Sequence, residues 1–442
     1  CGKLAAEIRK GRCALRRTKF FGWLLALAIV VLAAGSVCAA EVTLPLRLDA
    51  NTSQNGAGWR WDAASRTLTL QNIQLFVSAG TDGSARTVHI ACDATIVLSG
   101  KNTIRAGDVS ADGAQSWALV VDGACTITGD GDLTLASSRA TGEGGQSVAL
   151  LAAGALDFAG TGSIRAFSGA AAYSCAVSGL SDVTFTSGCV SMNGGDFACI
   201  AANDSTITLP ARAQVIGASE TTPQAARRNG RSTFFASGEI AAQVQVAAPG
   251  AASSAGLFFE DVGADDWFCG DVGYVLQTGL MSGTARTQFS PSRTTTRGMI
   301  VTILYRLAGA PAVNTAAPYT DVAPDSYCAD AAAWAAQTGV AAGIGGGRFA
   351  PQRGITRAEL AAMLCRFAKW QGGVANSVAK IADETAFTDA AQIPEYAREA
   401  AAWAAENGLI RGSAGQFLPS QNATRAQTAA ILHRLSALKT DK

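Results

Sequence analysis

Three threonine–arginine pairs, Thr296-Arg297, Thr356-Arg357 and Thr424-Arg425, each open a stretch with the apolar spacing of a helix. Thr356 with Glu359, and Thr424 with Gln427, have capping-box spacing: the threonine caps the helix and the residue three positions on reaches back. Each arginine then falls on the first helical position, at the positive end of the macrodipole, where a cation costs about 0.3–1 kcal/mol. The same unfavourable choice made three times calls for a negative partner. Unpaired N–H groups at a helix start, joined by a guanidinium fork, form an anion site. An internal partner is the alternative, since Asp261, Asp321 and Asp389 recur at matching positions and could bridge to the arginines between units.

The elements that position these groups repeat. Phe259-Glu260-Asp261-Val262 returns as Tyr319-Thr320-Asp321-Val322 and Phe387-Thr388-Asp389-Ala390; Phe289-Ser290-Pro291 returns as Phe349-Ala350-Pro351 and Phe417-Leu418-Pro419. All markers move with the Thr-Arg pair, by 60 residues (296 to 356) and then by 68 (356 to 424). In each unit a small-residue helix ends at Gly279, Gly339 or Gly408, a residue suited to a helix C-terminus. A glycine turn (Gly283, Gly343, Gly412) follows, then the second helix. Its one-sided apolar stripe, Ile300, Ile303, Leu304 and Leu307 in the first unit, predicts three helices buried against one another.

Residues 41–217 follow a different rule. Short alternating runs such as Ala94 to Ser99 and Cys125 to Thr128 end in glycine turns that recur roughly every 30 residues, a period that favours a stacked solenoid. The expected fold is a right-handed parallel β-helix, with a β-sandwich as the alternative. Residues 218–256, with Pro223 and an Ala-Pro-Gly-Ser run, read as a cap and flexible linker. At the other end, Arg9, Lys10, Arg12, Arg16, Arg17 and Lys19 precede an apolar run and Cys38-Ala39-Ala40, the pattern of a secretory signal over 1–40; an uncleaved membrane anchor is the alternative.

Composition narrows the chemistry. A net charge of +1 over 442 residues provides no field to recruit nucleic acid or a membrane surface. Two histidines leave almost no material for a triad or a His-metal cluster, and the eight cysteines after Cys38 contain no C-x-x-C. No catalytic residue, metal or cofactor is therefore assigned. The cysteines sit among apolar residues and read as buried thiols. Gly343 to Gly347 looks like a nucleotide loop but is the repeat's own turn. Asp130, Asp132, Asp182 and Asp196 are carboxylates that a polysaccharide-cleaving solenoid would need, although surface turns use aspartate anyway.

Phe-x-Asp-Val, a Trp-containing helix, a glycine turn, Phe-x-Pro and Thr356-Arg357-Ala358-Glu359 together resemble the S-layer homology module, here in three copies at 257–310, 317–372 and 385–438. The resemblance implies a pseudo-threefold, mainly α domain with a central three-helix bundle. It also implies an exported cell-surface protein held on the wall by an anionic, pyruvylated secondary cell-wall polysaccharide in grooves between repeats. Its ligand contacts would fall on Arg297, Arg357 and Arg425, with Asp261, Asp321, Asp389, Gly283, Gly343, Gly412 and the aromatics Trp334 and Trp403. The first copy departs, with Gly298-Met299 replacing the Ala-Glu of the motif and Tyr274 in the tryptophan position, so its groove is expected to be the weak one. The solenoid resembles carbohydrate-binding or adhesin-like β-helices, for which an external glycan is the expected partner; a glycan-cleaving solenoid and an inert structural spacer are the alternatives.

Overall fold

The computed structural model describes residues 41–438 except 43–44, 81–82, 220, 252–253, 314–315 and 373–386. The expected secretory signal lies outside the described residues. Alternation lays down the strands of the N-terminal half: in Ala94–Ser99 buried and half-buried positions strictly alternate. Successive coils add one strand to each of three sheets. Cys125 pairs with Ala94 of the coil before and Leu156 of the coil after, while Leu135 pairs with Ile104 and Trp117 with Arg86 and Val148. All of these pairings are parallel, so the fold is a β-solenoid and the sandwich alternative is excluded. Leu, Ile, Val and Phe side chains from the three sheets fill one continuous core.

Turn aspartates tie the coils together. The carboxylates of Asp93, Asp108, Asp112 and Asp132 accept backbone N–H groups from Ala124, Arg139, Glu143 and Ser163, each 31 residues further on. Asp182 takes the Thr206 amide and hydroxyl, and Asp196 takes the Ser174 amide. Three of the four carboxylates considered for cleavage chemistry are thus engaged in coil-to-coil bonds. Gly131 is required by the same stacking, because a Cβ there would come within 2.6 Å of the Ser99 backbone.

The segment expected as cap and flexible linker is folded. Strands Arg231–Ala236 and Gln243–Ala247 pair antiparallel with the last coil and close two of its sheets, and Gln224–Arg228 pairs antiparallel with Arg231–Ala236. Past the Ala-Pro-Gly run, Ser254 caps a 3₁₀ turn at Ala255–Phe258 and bonds the Cys269 carbonyl at 3.0 Å. The run ends docked because the first repeat packs on the solenoid. Arg105 pairs with Glu260 at 2.6 Å, Arg165 donates to the Phe259 carbonyl at 2.5 Å, and Arg286 reaches Ser174 and the Ser168 carbonyl. Asn193, fully buried, donates to the carbonyls of both Phe258 and Arg286.

The C-terminal half holds six α-helices among the described residues: α1 Cys269–Gln277, α2 Arg297–Leu307, α3 Ala329–Thr338, α4 Arg357–Trp370, α5 Glu395–Glu406 and α6 Arg425–Ala437. The second helix of each repeat packs on the first helix of the next: α2 on α3, α4 on α5, and α6 back on α1. The order closes into a ring. All eight cysteines of the described part are free thiols, and burial raises those of Cys125 and Cys175 to about 12, which leaves them unreactive.

Replacing Asn193 with Ala strands two buried carbonyls at the solenoid–repeat junction. Urea unfolding should show a loss of about 1–3 kcal/mol; an unchanged midpoint and slope would mean that the junction is not a fixed contact.

Candidate functional site

The helix starts are used differently from the expectation. Their first two amides are not free for an anion: Arg297 and Gly298 donate to the Arg353 and Pro351 carbonyls, Arg357 and Ala358 to those of Gln421 and Pro419, Arg425 and Ala426 to those of Arg293 and Pro291. Each donor belongs to one repeat and each acceptor to the next, with the third repeat returning to the first. The threonines take the third amide, and Thr356 and Thr424 complete capping boxes with Glu359 and Gln427.

The arginine side chains follow the same circuit. Nε of Arg297 donates to the Phe349 carbonyl at 3.0 Å, Nε of Arg357 to Phe417 at 2.6 Å, and Nε of Arg425 to Phe289 at 2.8 Å. Each guanidinium also lies over the ring of that phenylalanine, 4.5–5.6 Å from its centroid. Nη2 of Arg297 and of Arg425 adds a bond to the Ala342 and Ser282 carbonyls. The compensation for a cation at the wrong helix end is therefore a carbonyl of the neighbouring repeat, not an aspartate. Asp261, Asp321 and Asp389 instead accept the amides of that phenylalanine and of the residue after it, at 2.7–2.8 Å. The second of those residues (Ser290, Ala350 or Leu418) sits at φ 58°, a left-handed conformation that the carboxylate holds in place. Arginine and aspartate thus grip one Phe-x-Pro segment from its two faces.

The three arginines are buried, at 4–6% exposure, yet each lines an open cleft. Every cleft draws on all three repeats. The Arg297 cleft, about 370 Å³, is lined by Gly343, Arg353, Glu359 and Arg366 of the second repeat and Tyr396 of the third. The Arg357 cleft, about 430 Å³, is lined by Arg411, Gly412, Gln427 and Arg434 of the third repeat and Trp267 of the first. The Arg425 cleft, about 340 Å³, is lined by Gly283, Arg293, Met299 and Arg306 of the first repeat and Tyr327 of the second. Gly283, Gly343 and Gly412 make room for the opening aromatic: a Cβ there would fall 2.6–2.9 Å from the ring of Phe259, Tyr319 or Phe387.

Trp334 and Trp403 do not line the clefts. Both are at most 5% exposed in the helix-pair core, where Trp334 packs against Tyr305 of the preceding repeat. The aromatics at the clefts are Trp267, Tyr327 and Tyr396, at 63, 56 and 55% exposure. A signal for them was present, since all three repeats carry an aromatic near the start of the first helix: Trp267 and Tyr327 two residues before it, Tyr396 in its first turn. Arg306, Arg366 and Arg434 likewise keep the repeat register and line one cleft each.

Residues 258–298, 318–361 and 386–429 match the S-layer homology domain. The chain is 28% identical over 190 residues to the S-layer protein sap of Bacillus anthracis, covering 43% of this chain and 22% of that protein. It is 28% identical over 217 residues to the surface-layer 125 kDa protein of Lysinibacillus sphaericus, covering 47% and 17%, and 29% identical over 178 residues to an endoglucanase of Bacillus sp. (strain KSM-635), covering 40% and 18%. The matches thus span about a fifth of the length of these relatives. The C-terminal half is a set of three S-layer homology repeats, and the protein belongs to the bacterial cell surface.

Two predictions separate ring closure from cleft chemistry. Arg357→Ala removes a buried carbonyl bond and a ring contact and should cost about 2–3 kcal/mol in urea unfolding. Arg306→Ala at an exposed position should stay within about 0.5 kcal/mol of wild type; equal losses would contradict the division of labour. The amides of Phe349 and Ala350 hold the Asp321 carboxyl below its usual range; at Asp389 burial raises the value, but the amides of Phe417 and Leu418 outweigh it. Their stabilisation is complete above about pH 4 and is lost as pH falls through the lowered folded-state values. Acid unfolding of Asp321→Asn should therefore show a shallower pH dependence than wild type, and an identical profile would count against the role given to Asp321.

Proposed function

We propose that the three-repeat ring anchors the protein non-covalently to the cell wall by holding acidic sugars of a secondary cell-wall polysaccharide, the pyruvylated kind implied by the repeat motif. One observation carries this reading: each inter-repeat cleft combines a buried arginine, at least two further arginines and an exposed aromatic ring. Guanidinium groups recognise a carboxylate, and the ring offers a face to the apolar side of a pyranose. Basic and acidic residues nearly balance across the repeats, so retention rests on placed groups, not on a diffuse basic surface. Asp261, Asp321 and Asp389 act in this reading by fixing the Phe-x-Pro segment under the arginine, and Gly283, Gly343 and Gly412 by shaping the cleft wall; Trp334 and Trp403 support the helix pairs.

The solenoid is the displayed part. A groove of about 330 Å³ on the outer face of one sheet has an apolar floor of Val148, Leu151 and Ile200, Trp117 and Tyr173 as walls, and Arg231 at its rim. Trp117 keeps a buried indole N–H without an acceptor, and Arg86 lies over its ring. Rings, an apolar floor and a cation at the rim suit a saccharide, so we assign this groove as the site for an external glycan. The cleaving alternative is less favoured, because Asp132, Asp182 and Asp196 are engaged in holding coils together.

The chain should co-sediment with purified walls, and stripping the polysaccharide while sparing peptidoglycan should abolish the effect. Retention on stripped walls would refute the ligand class. In a glycan-array screen, Trp117→Ala should lose the saccharides that wild type retains while its wall sedimentation is unchanged. If the variant keeps the same array pattern, the groove is not the site.

A further inference from the structure

We infer that the groove on the outer face of the solenoid takes an acidic oligosaccharide laid along the stack of coils, with Arg231 holding a sugar carboxylate. The inference rests on the glycan reading of that groove and names the class of glycan. Trp117, Val148, Tyr173, Ile200 and Arg231 come from five strands that lie side by side in one sheet. Neighbouring strands sit about 4.8 Å apart, so the lining runs for about 19 Å across them. One pyranose ring cannot cover that distance, whereas a short linear chain can.

The charge of the occupant follows from an arginine without an internal partner. Arg228 and Arg231 stand opposite each other across the Asn229-Gly230 turn, whose two residues have φ of 51° and 73°. Like charges directly opposite in an antiparallel pair are destabilising. The other two arginines of this hairpin are committed. Arg227 pairs with Asp204, while Arg228 lies 4.0 Å from the centroid of the Phe235 ring and donates to the Gly238 carbonyl at 3.0 Å. Arg231 is exposed at the groove rim, and among the described residues its side chain has no hydrogen bond or ion pair. No carboxylate lines the groove among the described residues. Burial pushes the Tyr173 hydroxyl up, so this neighbour stays neutral and leaves Arg231 uncompensated. Asp196, on the same side of the solenoid, is turned to the Ser174 amide. A guanidinium kept beside a like charge and without an acid of its own suits a carboxylate brought by the ligand. At the other end of the face Arg86 is not available, since it lies over Trp117 and donates to Gln115. The groove therefore reads charge at one end and offers a ring at the other, which gives the bound chain a direction.

An array of carboxylated, sulfated and neutral oligosaccharides, probed with the full chain, tests the class. The groove signal is the set of saccharides that Trp117→Ala loses; retention that survives this substitution belongs elsewhere on the chain. That set should consist of carboxylated oligosaccharides, and converting their carboxylates to primary alcohols should weaken retention at least tenfold. Arg231→Gln should show the same tenfold loss without a lower Tm and should no longer distinguish acid from alcohol, while Arg231→Lys keeps a preference for the acid. Tetrasaccharides should bind at least tenfold tighter than disaccharides of the same sequence. A groove signal confined to neutral or sulfated saccharides, or one that Arg231→Gln leaves intact, overturns the inference while the glycan reading of the groove stands. Equal affinity for disaccharide and tetrasaccharide overturns the placement along the coils. If Trp117→Ala loses nothing, the groove reading itself fails and the inference with it.

Discussion

A guanidinium group that must be buried and still satisfied is the constraint from which the C-terminal half is built. Each motif arginine leaves its own helix and donates to a carbonyl of the next repeat, while the aspartate of that next repeat takes the amide of the same phenylalanine. Burying a charge is tolerated only when its hydrogen bonds are met. Here carbonyl dipoles and phenylalanine faces meet most of that demand. For Arg357 and Arg425 no carboxylate forms an ion pair among the described residues, and Asp389 and Asp261 act on them only through space. Closing the ring and placing a guanidinium at the base of each cleft are one act of folding.

The ring also explains why the repeats come as three. Helix α6 packs on α1, and Arg425 returns to Phe289 in the first repeat; a missing repeat would leave buried donors and carbonyls without partners. Each cleft takes its arginine from one repeat, its turn from the next and its aromatic from the remaining one. The first repeat in turn is bonded to the solenoid through Arg105, Arg165, Asn193 and Arg286. Repeat ring and solenoid are therefore joined through packed contacts at a junction that the sequence composition suggested would be loose.

Legibility divided along physical lines. The capping boxes at Thr356 and Thr424, the solenoid and the three repeat units were readable because they rest on local periodicity and on markers that move in register; the pairing of each second helix with the first helix of the next repeat was not, since the apolar stripes pointed to second helices buried against one another. Partners across repeats were not. The arginines pair with backbone carbonyls, which leave no mark in a sequence, and the aspartates pair with amides, for the same reason. Trp334 and Trp403 looked like ligand aromatics since they recur, but recurrence in a core position reports packing. Trp267, Tyr327 and Tyr396 recur as well, and only exposure distinguishes them. The linker was misread because Ala, Gly and Ser suit a tight docked strand end as well as a loose chain.

The most direct test of the dual role is the ¹⁵N spectrum of the arginine side chains, recorded with and without soluble wall polysaccharide. Nε–H of Arg297, Arg357 and Arg425 should exchange slowly in the free protein and stay slow when polysaccharide is added, while Arg293 and Arg306 change shift. Fast exchange at those three Nε–H groups in the free protein, or their displacement by the ligand, would contradict the account.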